Sequence, residues 1–222
     1  MDLFSIFTVW LTLFSIAFTF LPLVLVKDWA RRGTADGFSS VGLVMPMLMM
    51  SCWFLHGYIT GDKVNLYLNL VNLVIYLLYI GAFAYYQPKR QYLFGQLLTL
   101  VITLYCVFTY VNSFPEQEKG DKMAVVAAGT QLVGMIGGIY DCARAIKLGH
   151  TEYIPASIQY GIFVLVLQWT YFAYAIGNYY MMFANIAGLS LNIFTISLYF
   201  FIPPLTWKVP LIGTGPQEKK KA

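Results

Sequence analysis

The chain has 222 residues, 59% of them apolar and 18% aromatic, with 11% charged, a formal net charge of +4 and a mean hydropathy of +0.66. A water-soluble domain carries about a quarter charged residues, so this composition excludes an ordinary soluble enzyme. The basic excess forms no face interleaved with aromatics, which excludes nucleic acid as a partner. Low-charge apolar runs of about twenty residues read as membrane spans. They are predicted at 4–26, 37–59, 64–86, 92–114, 123–146, 154–177 and 181–205, giving an all-α membrane protein of seven spans with no room for a catalytic domain.

In chain order, Met1-Asp2-Leu3 has no basic region and no small-residue cleavage site, so the first span is expected to be retained. That span carries Pro22 near its end. The second begins at Gly42 and contains Met49, Trp53 and His56. The third carries Asn69 and Asn72, one turn apart on one helical face. A polar stretch from Phe114 to Lys122 follows the fourth span and is expected to be the longest loop. The fifth span carries Gly138 and, near its end, Asp141 and Arg144, expected as a local ion pair. The sixth starts at Pro155 and contains Trp169; the seventh holds Asn185 and Asn192 on a shared face. The tail from Lys208 is polar and ends in lysines, which predicts a mobile segment. The other loops are short, so spans adjacent in sequence are expected to be neighbours.

Lysines and arginines alternate sides unequally. Lys27, Arg31, Arg32, Lys89, Arg90, Arg144, Lys147, Lys208 and Lys219 to Lys221 fall on one side, and only Lys63, Lys119 and Lys122 on the other. The positive-inside rule puts the N-terminus outside or in a lumen and the C-terminus in the cytosol. Cys52, Cys106 and Cys142 all lie in spans and suggest neither a disulfide framework nor a metal site, and no cofactor is implied.

Two stretches repeat 116 residues apart: Trp53, Tyr58, Gly61-Asp62 and Asn69, then Trp169, Tyr174, Gly177-Asn178 and Asn185. The organisation is therefore a first three-helix repeat (1–90), a linker helix and loop (91–122), a second repeat (123–205) and a tail (206–222). Such duplication suits a carrier better than a receptor or enzyme. An amide in hydrocarbon either ties helices together or lines a wet cavity, and a lone Trp is often an interfacial anchor. Matched Trp and Asn at roughly 5–12 Å depth in both halves favour a shared pocket. Asn bridges neighbouring hydroxyls and indole covers the apolar face of a sugar ring. Met49, Asn72 and Asn192 are candidate further lining residues. Proline and glycine both weaken a helix locally, so Pro22, Gly42, Gly138 and Pro155 read as hinges of an inner gate. No charged side chain lies mid-span near the Trp and Asn residues, so proton or sodium coupling and charged substrates are disfavoured.

These residues resemble the SWEET (MtN3/saliva) family of sugar uniporters over nearly the whole chain. The resemblance implies parallel three-helix repeats around a linker helix (3+1+3), an arrangement for which this family is itself a known example. It implies substrate contact by Trp53, Trp169, Asn69 and Asn185, with Thr151 to Pro155 and Asn185-Ile186-Ala187-Gly188 similar to family signatures. Two hinge prolines of the family are Gly42 and Gly138 here, with Pro46 one turn beyond Gly42. Asn72 stands where the family has glycine. His56 and Asn178 stand where the resemblance implies the outer gate, in place of Tyr and Asp. The substrate would be a neutral mono- or disaccharide, carried passively by alternating access. Alternatives are a PQ-loop-like amino-acid carrier, although the dipeptide here is the reversed Gln87-Pro88, or a cargo receptor on the same fold. An enzyme is disfavoured, since no activated nucleophile, metal cluster or carboxylate pair is seen. Membrane lipid is a partner by composition, and a homo-oligomer stays open. The plasma membrane is the first choice of location, with endoplasmic reticulum or Golgi second given Lys219 to Lys221.

Overall fold

The structure, a computed structural model, describes residues 2–36 and 38–216. Its elements are α1 (Leu3–Thr19), α2 (Leu23–Arg32), α3 (Val41–Thr60), α4 (Lys63–Tyr86), α5 (Gln91–Asn112), α6 (Glu116–Gly134), α7 (Ile136–Leu148), α8 (Ala156–Ala175) and α9 (Tyr179–Phe201), with no strand among the described residues. Seven spans are long and apolar enough to cross a membrane, with α1 and α2 sharing Leu3–Arg32 and α6 and α7 sharing Glu116–Leu148. The protein is thus a multi-pass membrane protein of three spans, a linker span and three spans. Local chemistry sets the ends. Asp62 and Asn178 cap the starts of α4 and α9. Gly33, Gly61, Gly149 and Gly177 end or follow helices at φ of 71 to 72°, a left-handed conformation that glycine adopts without strain.

The chain divides into two compact units, Met1–Gly134 and Met135–Ala222. In the first, α4 packs on α1, α2 and α3, while α3 also packs on α5 and α6. Its core joins Trp29, Leu43, Met47, Tyr79, Phe83 and Leu93. In the second, α9 packs on both α7 and α8, around Cys142, Ala145, Ile154, Leu198, Tyr199 and Val209. The third span of each triplet is therefore the central one, which neighbour order along the sequence does not anticipate.

Three expectations change. The stretch expected as a long loop is mostly helix: only residues 113–115 separate α5 from α6, and Glu116 to Lys122 form its first turns. Glu116 and Glu118 sit favourably at the helix start and pair with Lys119 and Lys122 at i+3 and i+4. The Asp141–Arg144 ion pair is not formed; the Arg144 guanidinium lies 4.6 Å from the centre of the Tyr153 ring. The described part of the tail packs rather than hangs free. Val209 is 1% exposed, Tyr160 Oη donates to the Pro210 carbonyl at 2.6 Å, and Thr214 Oγ1 donates to the Tyr199 carbonyl at 2.7 Å. Glu152 accepts from the Leu205 and Thr206 amides at 2.6 and 3.0 Å and from the Thr206 hydroxyl. Lys219 to Lys221 lie outside the described residues.

Candidate functional site

In the first unit, α3 presents Trp53 and His56. Trp53 is 5% exposed, and its indole N–H donates to Gln131 Oε1 of α6 at 3.1 Å. The His56 ring meets it edge-on, with centroids 5.4 Å apart at 81°. On α4, Asp62 Oδ1 accepts from the Val64 and Asn65 amides, and Asp62 Oδ2 accepts from Asn65 Nδ2 at 2.7 Å. Asn69 Nδ2 in turn donates to the Asn65 carbonyl at 2.8 Å. This chain of bonds fixes the rotamer of Asn69, whose Oδ1 accepts no hydrogen bond from any described residue.

The second unit repeats the arrangement 116 residues on. Trp169 on α8 meets Phe172 edge-on, again with centroids 5.4 Å apart at 81°. Asn178 Oδ1 accepts from the Met181 amide at 2.9 Å, and Asn185 Nδ2 donates to the Met181 carbonyl at 2.9 Å. The same i to i−4 back-bond therefore holds both amides, and the same i to i+3 ring contact steadies both indoles. Trp169 is half-buried, whereas Asn185 is buried.

The remaining sequence candidates have distinct placements. Asn72 Oδ1 accepts from Thr19 Oγ1 at 2.9 Å, and Asn192 Nδ2 donates to the Gln159 side chain and carbonyl at 2.8 and 3.1 Å. Both buried amides are tied to neighbouring helices. Met49 is half-buried on α3. Pro22 occupies the break between α1 and α2, and Gly138 stands three residues after the break at Met135. Gly42 and Pro155 stand at the starts of α3 and α8. His56 is 4% exposed against Trp53, and Asn178 caps α9. Gln131 escaped the sequence reading because its counterpart in the first half is Ser15, not another amide. The available signal was a lone amide inside the apolar run of α6.

The profile of a family described as "Sugar efflux transporter for intercellular exchange" (MtN3/saliva) matches residues 5–91 and 121–206, one match in each half. The chain is 17% identical over 187 residues to the "Sugar transporter SWEET1" of Danio rerio, covering 83% of this chain and 85% of that one. It is 24% identical over 197 residues to the "Bidirectional sugar transporter SWEET13" of Oryza sativa subsp. japonica, covering 86% and 65%. The solved structure of a eukaryotic SWEET transporter superposes with a TM-score of 0.77 at 16% identity, covering 90% of this chain and 99% of that one. Two matched triplets and the shared fold lead to one conclusion: the chain belongs to the SWEET (MtN3/saliva) family.

Proposed function

We propose that this protein carries neutral mono- or disaccharides across a membrane by facilitated alternating access, without catalysis. The observation that carries the reading is the duplicated half-site: in each unit an indole braced edge-on by a ring three residues away, and an amide back-bonded to the carbonyl four residues before it. Bracing matters because a rigid indole offers its face to a sugar ring at little entropic cost. Anchoring Nδ2 leaves the amide oxygen of Asn69 to accept from a sugar hydroxyl. Each neutral hydrogen bond contributes about 0.5–1.5 kcal/mol, so a handful gives roughly millimolar affinity, near −4 kcal/mol. Such loose binding lets the solute leave again.

In this reading Trp53, Trp169, Asn69 and Asn185 all contact the sugar. Pro22, Gly42, Gly138 and Pro155 act as hinges at the inner gate, and His56 and Asn178 belong to the outer gate. The basic ends of the spans face the cytosol, with the plasma membrane as first location. Flux of radiolabelled glucose into proteoliposomes, with and without an imposed proton gradient, tests the proposal. Sugar flux indifferent to the gradient is expected, and Trp169→Ala or Asn185→Ala should reduce it to the level of empty liposomes. Counter-flow of a cationic amino acid in place of glucose would overturn the substrate class.

A further inference from the structure

The carboxamide of Gln131 reaches the Trp53 indole from a helix that opens the other repeat. By sequence α6 begins the second triplet, yet it packs on α3 and belongs to the first compact unit, which ends at Gly134. Small side chains set the approach. Ala124, Ala127 and Ala128 of α6 are buried, and a Cβ on Gly120 would stand 3.1 Å from Thr60 Cγ2 of α3. In lipid, where apolar surface alone does not drive helices together, small residues let backbones approach until close packing holds them. Gln131 follows Ala127 by four residues and Ala128 by three, so it lies on the same face of α6. There the long amide crosses to α3, and its Oε1 accepts from the Trp53 indole N–H at 3.1 Å.

An indole N–H points outward in the plane of its rings, so this bond occupies an edge of Trp53 and neither face. It also satisfies the only donor that the side chain has, and what remains to offer a sugar is a ring face. The His56 ring supports the same indole from its own helix, at 81° to it. Trp53 thus has one contact along α3 and one bond across to α6, and at 5% exposure it has little room to swing. Ordering a loose side chain on binding weakens association, and an indole that is already held escapes that loss. Ser15, the first-half counterpart of Gln131, carries no carboxamide, so the duplication does not repeat this bond.

We propose that Gln131 is a positioning residue for sugar binding: by accepting the indole N–H, it sets the plane of Trp53 before the sugar arrives. The role rests on the sugar-transport reading and deepens it. Gln131 acts through Trp53 on affinity, while the maximal rate, which depends on moving helices, is left unchanged.

The test uses the full chain carrying 15N-labelled tryptophan, in nanodiscs for spectroscopy and in proteoliposomes for flux. Five tryptophans give five indole N–H signals, and the one missing from Trp53→Phe belongs to Trp53. Gln131→Leu keeps an apolar bulk and removes the acceptor. It should move the Trp53 proton signal upfield and speed its exchange with water. The half-saturating glucose concentration should rise about three- to tenfold, the worth of one neutral hydrogen bond, at unchanged maximal rate. Gln131→Glu, which keeps an oxygen acceptor at the same reach, should restore both readouts. An unmoved indole signal or an unmoved half-saturation in Gln131→Leu overturns the proposal. So does a fall in maximal rate alone, or a Gln131→Glu variant no better than Gln131→Leu. If Gln131→Leu does not fold, Gln131→Asn, which withdraws the acceptor by one methylene, is read in the same way. Absence of glucose flux in the unaltered protein is a different result, which overturns the sugar reading and this role with it.

Discussion

In the first unit, α1 stops at Thr19 and α2 resumes at Leu23, with Pro22 between them. Pro22 has no N–H, and the Leu23 amide bonds back to Phe20, so the Thr19 carbonyl has no helical donor. The Tyr79 hydroxyl of α4 donates to it at 3.0 Å, and Thr19 Oγ1 donates to Asn72 Oδ1 at 2.9 Å. Directional bonds clasp that break to the central helix. The corresponding span of the second repeat breaks between α6 and α7, at Met135, before Gly138. The residues matching Asn72 and Tyr79 there are Gly188 and Thr195. A Cβ at Gly188 would stand 3.0 Å from Met135 Cε, so a thioether packs where the first unit places an amide. Thr195 Oγ1 donates to the Leu191 carbonyl within α9 and meets Cys142 Sγ of α7 at 3.1 Å, a bond to the span beyond the break and not to Met135 itself. At the breaks themselves, the first is held by hydrogen bonds and its counterpart by the packing of Met135 on Gly188. Dispersion tolerates sliding better than directional bonds do, so if both breaks act as the proposed hinges, the second is expected to move at lower cost.

The largest test concerns the half-sites. Trp53→Ala and Trp169→Ala should each eliminate sugar flux with the protein still present in the membrane, as judged by vesicle uptake and surface labelling. Full flux in one variant and none in the other would mean that the halves do not share a substrate. Next comes the hairpin between α3 and α4. A Cβ on Gly57 would stand 2.6 Å from the Leu66 amide nitrogen and 2.9 Å from the Asp62 carbonyl oxygen, although its counterpart Ala173 is accommodated with 0% exposure. Gly57→Ala should therefore destabilise by about 1–3 kcal/mol, the range for overpacking, in thermal unfolding of the purified protein, while Ala173→Gly should cost less.

The clasp itself gives a smaller effect. Tyr79→Phe strips the Thr19 carbonyl of its donor, with an expected loss of about 1–3 kcal/mol for an unsatisfied buried group. Asn72→Gly removes one side-chain bond within the membrane, worth about 0.6 kcal/mol on average. Asn72→Gly is also expected to raise the maximal rate of sugar flux in proteoliposomes while leaving the half-saturating sugar concentration unchanged. Gly188→Asn, the reciprocal change, would drive a side chain into Met135 and should lower both stability and turnover.

The smallest effect is at Glu152, outside the spans. The Thr206 hydroxyl foremost, then the Leu205 and Thr206 amides and the His150 charge, hold its carboxyl below the ordinary value of 4.5 against the opposing effect of burial. A depressed folded-state pKa stabilises above the unfolded value and is lost as pH falls through the folded value. Protection of the Leu205 and Thr206 amides from hydrogen exchange should persist from neutral pH to about 4.5 and decline below it. Glu152→Gln should lower that protection at neutral pH and flatten its acid dependence.

Much of the site was legible because a duplicated sequence constrains itself. Trp53 with Trp169 and Asn69 with Asn185 are recognisable as pairs, and the pairing reaches down to the cap residues Asp62 and Asn178. What escaped were residues whose partners come from elsewhere in the fold. Gln131 gains meaning only through the Trp53 indole. Arg144 sits one turn from Asp141 on the same helix, yet it packs on Tyr153, which lies beyond the end of α7. The segment around Val209 reads as a polar tail by composition, yet Glu152, Tyr160 and Tyr199 supply bonding partners that no local pattern reveals.

By itself the sequence determined the seven spans, the duplicated halves, the weak point at Pro22, and the matched indoles and amides. Each of these follows from residue type and spacing along one helix. Only the tertiary structure decided that the third span is central in each triplet, that Asn72 clasps Thr19 while Gly188 yields to Met135, and that Gln131 of α6 meets the indole of Trp53. Those outcomes depend on which side chains from distant helices meet, and with lipid as solvent every apolar face is equally willing to be exposed. Directional bonds and close packing, not hydrophobicity, then select the partners.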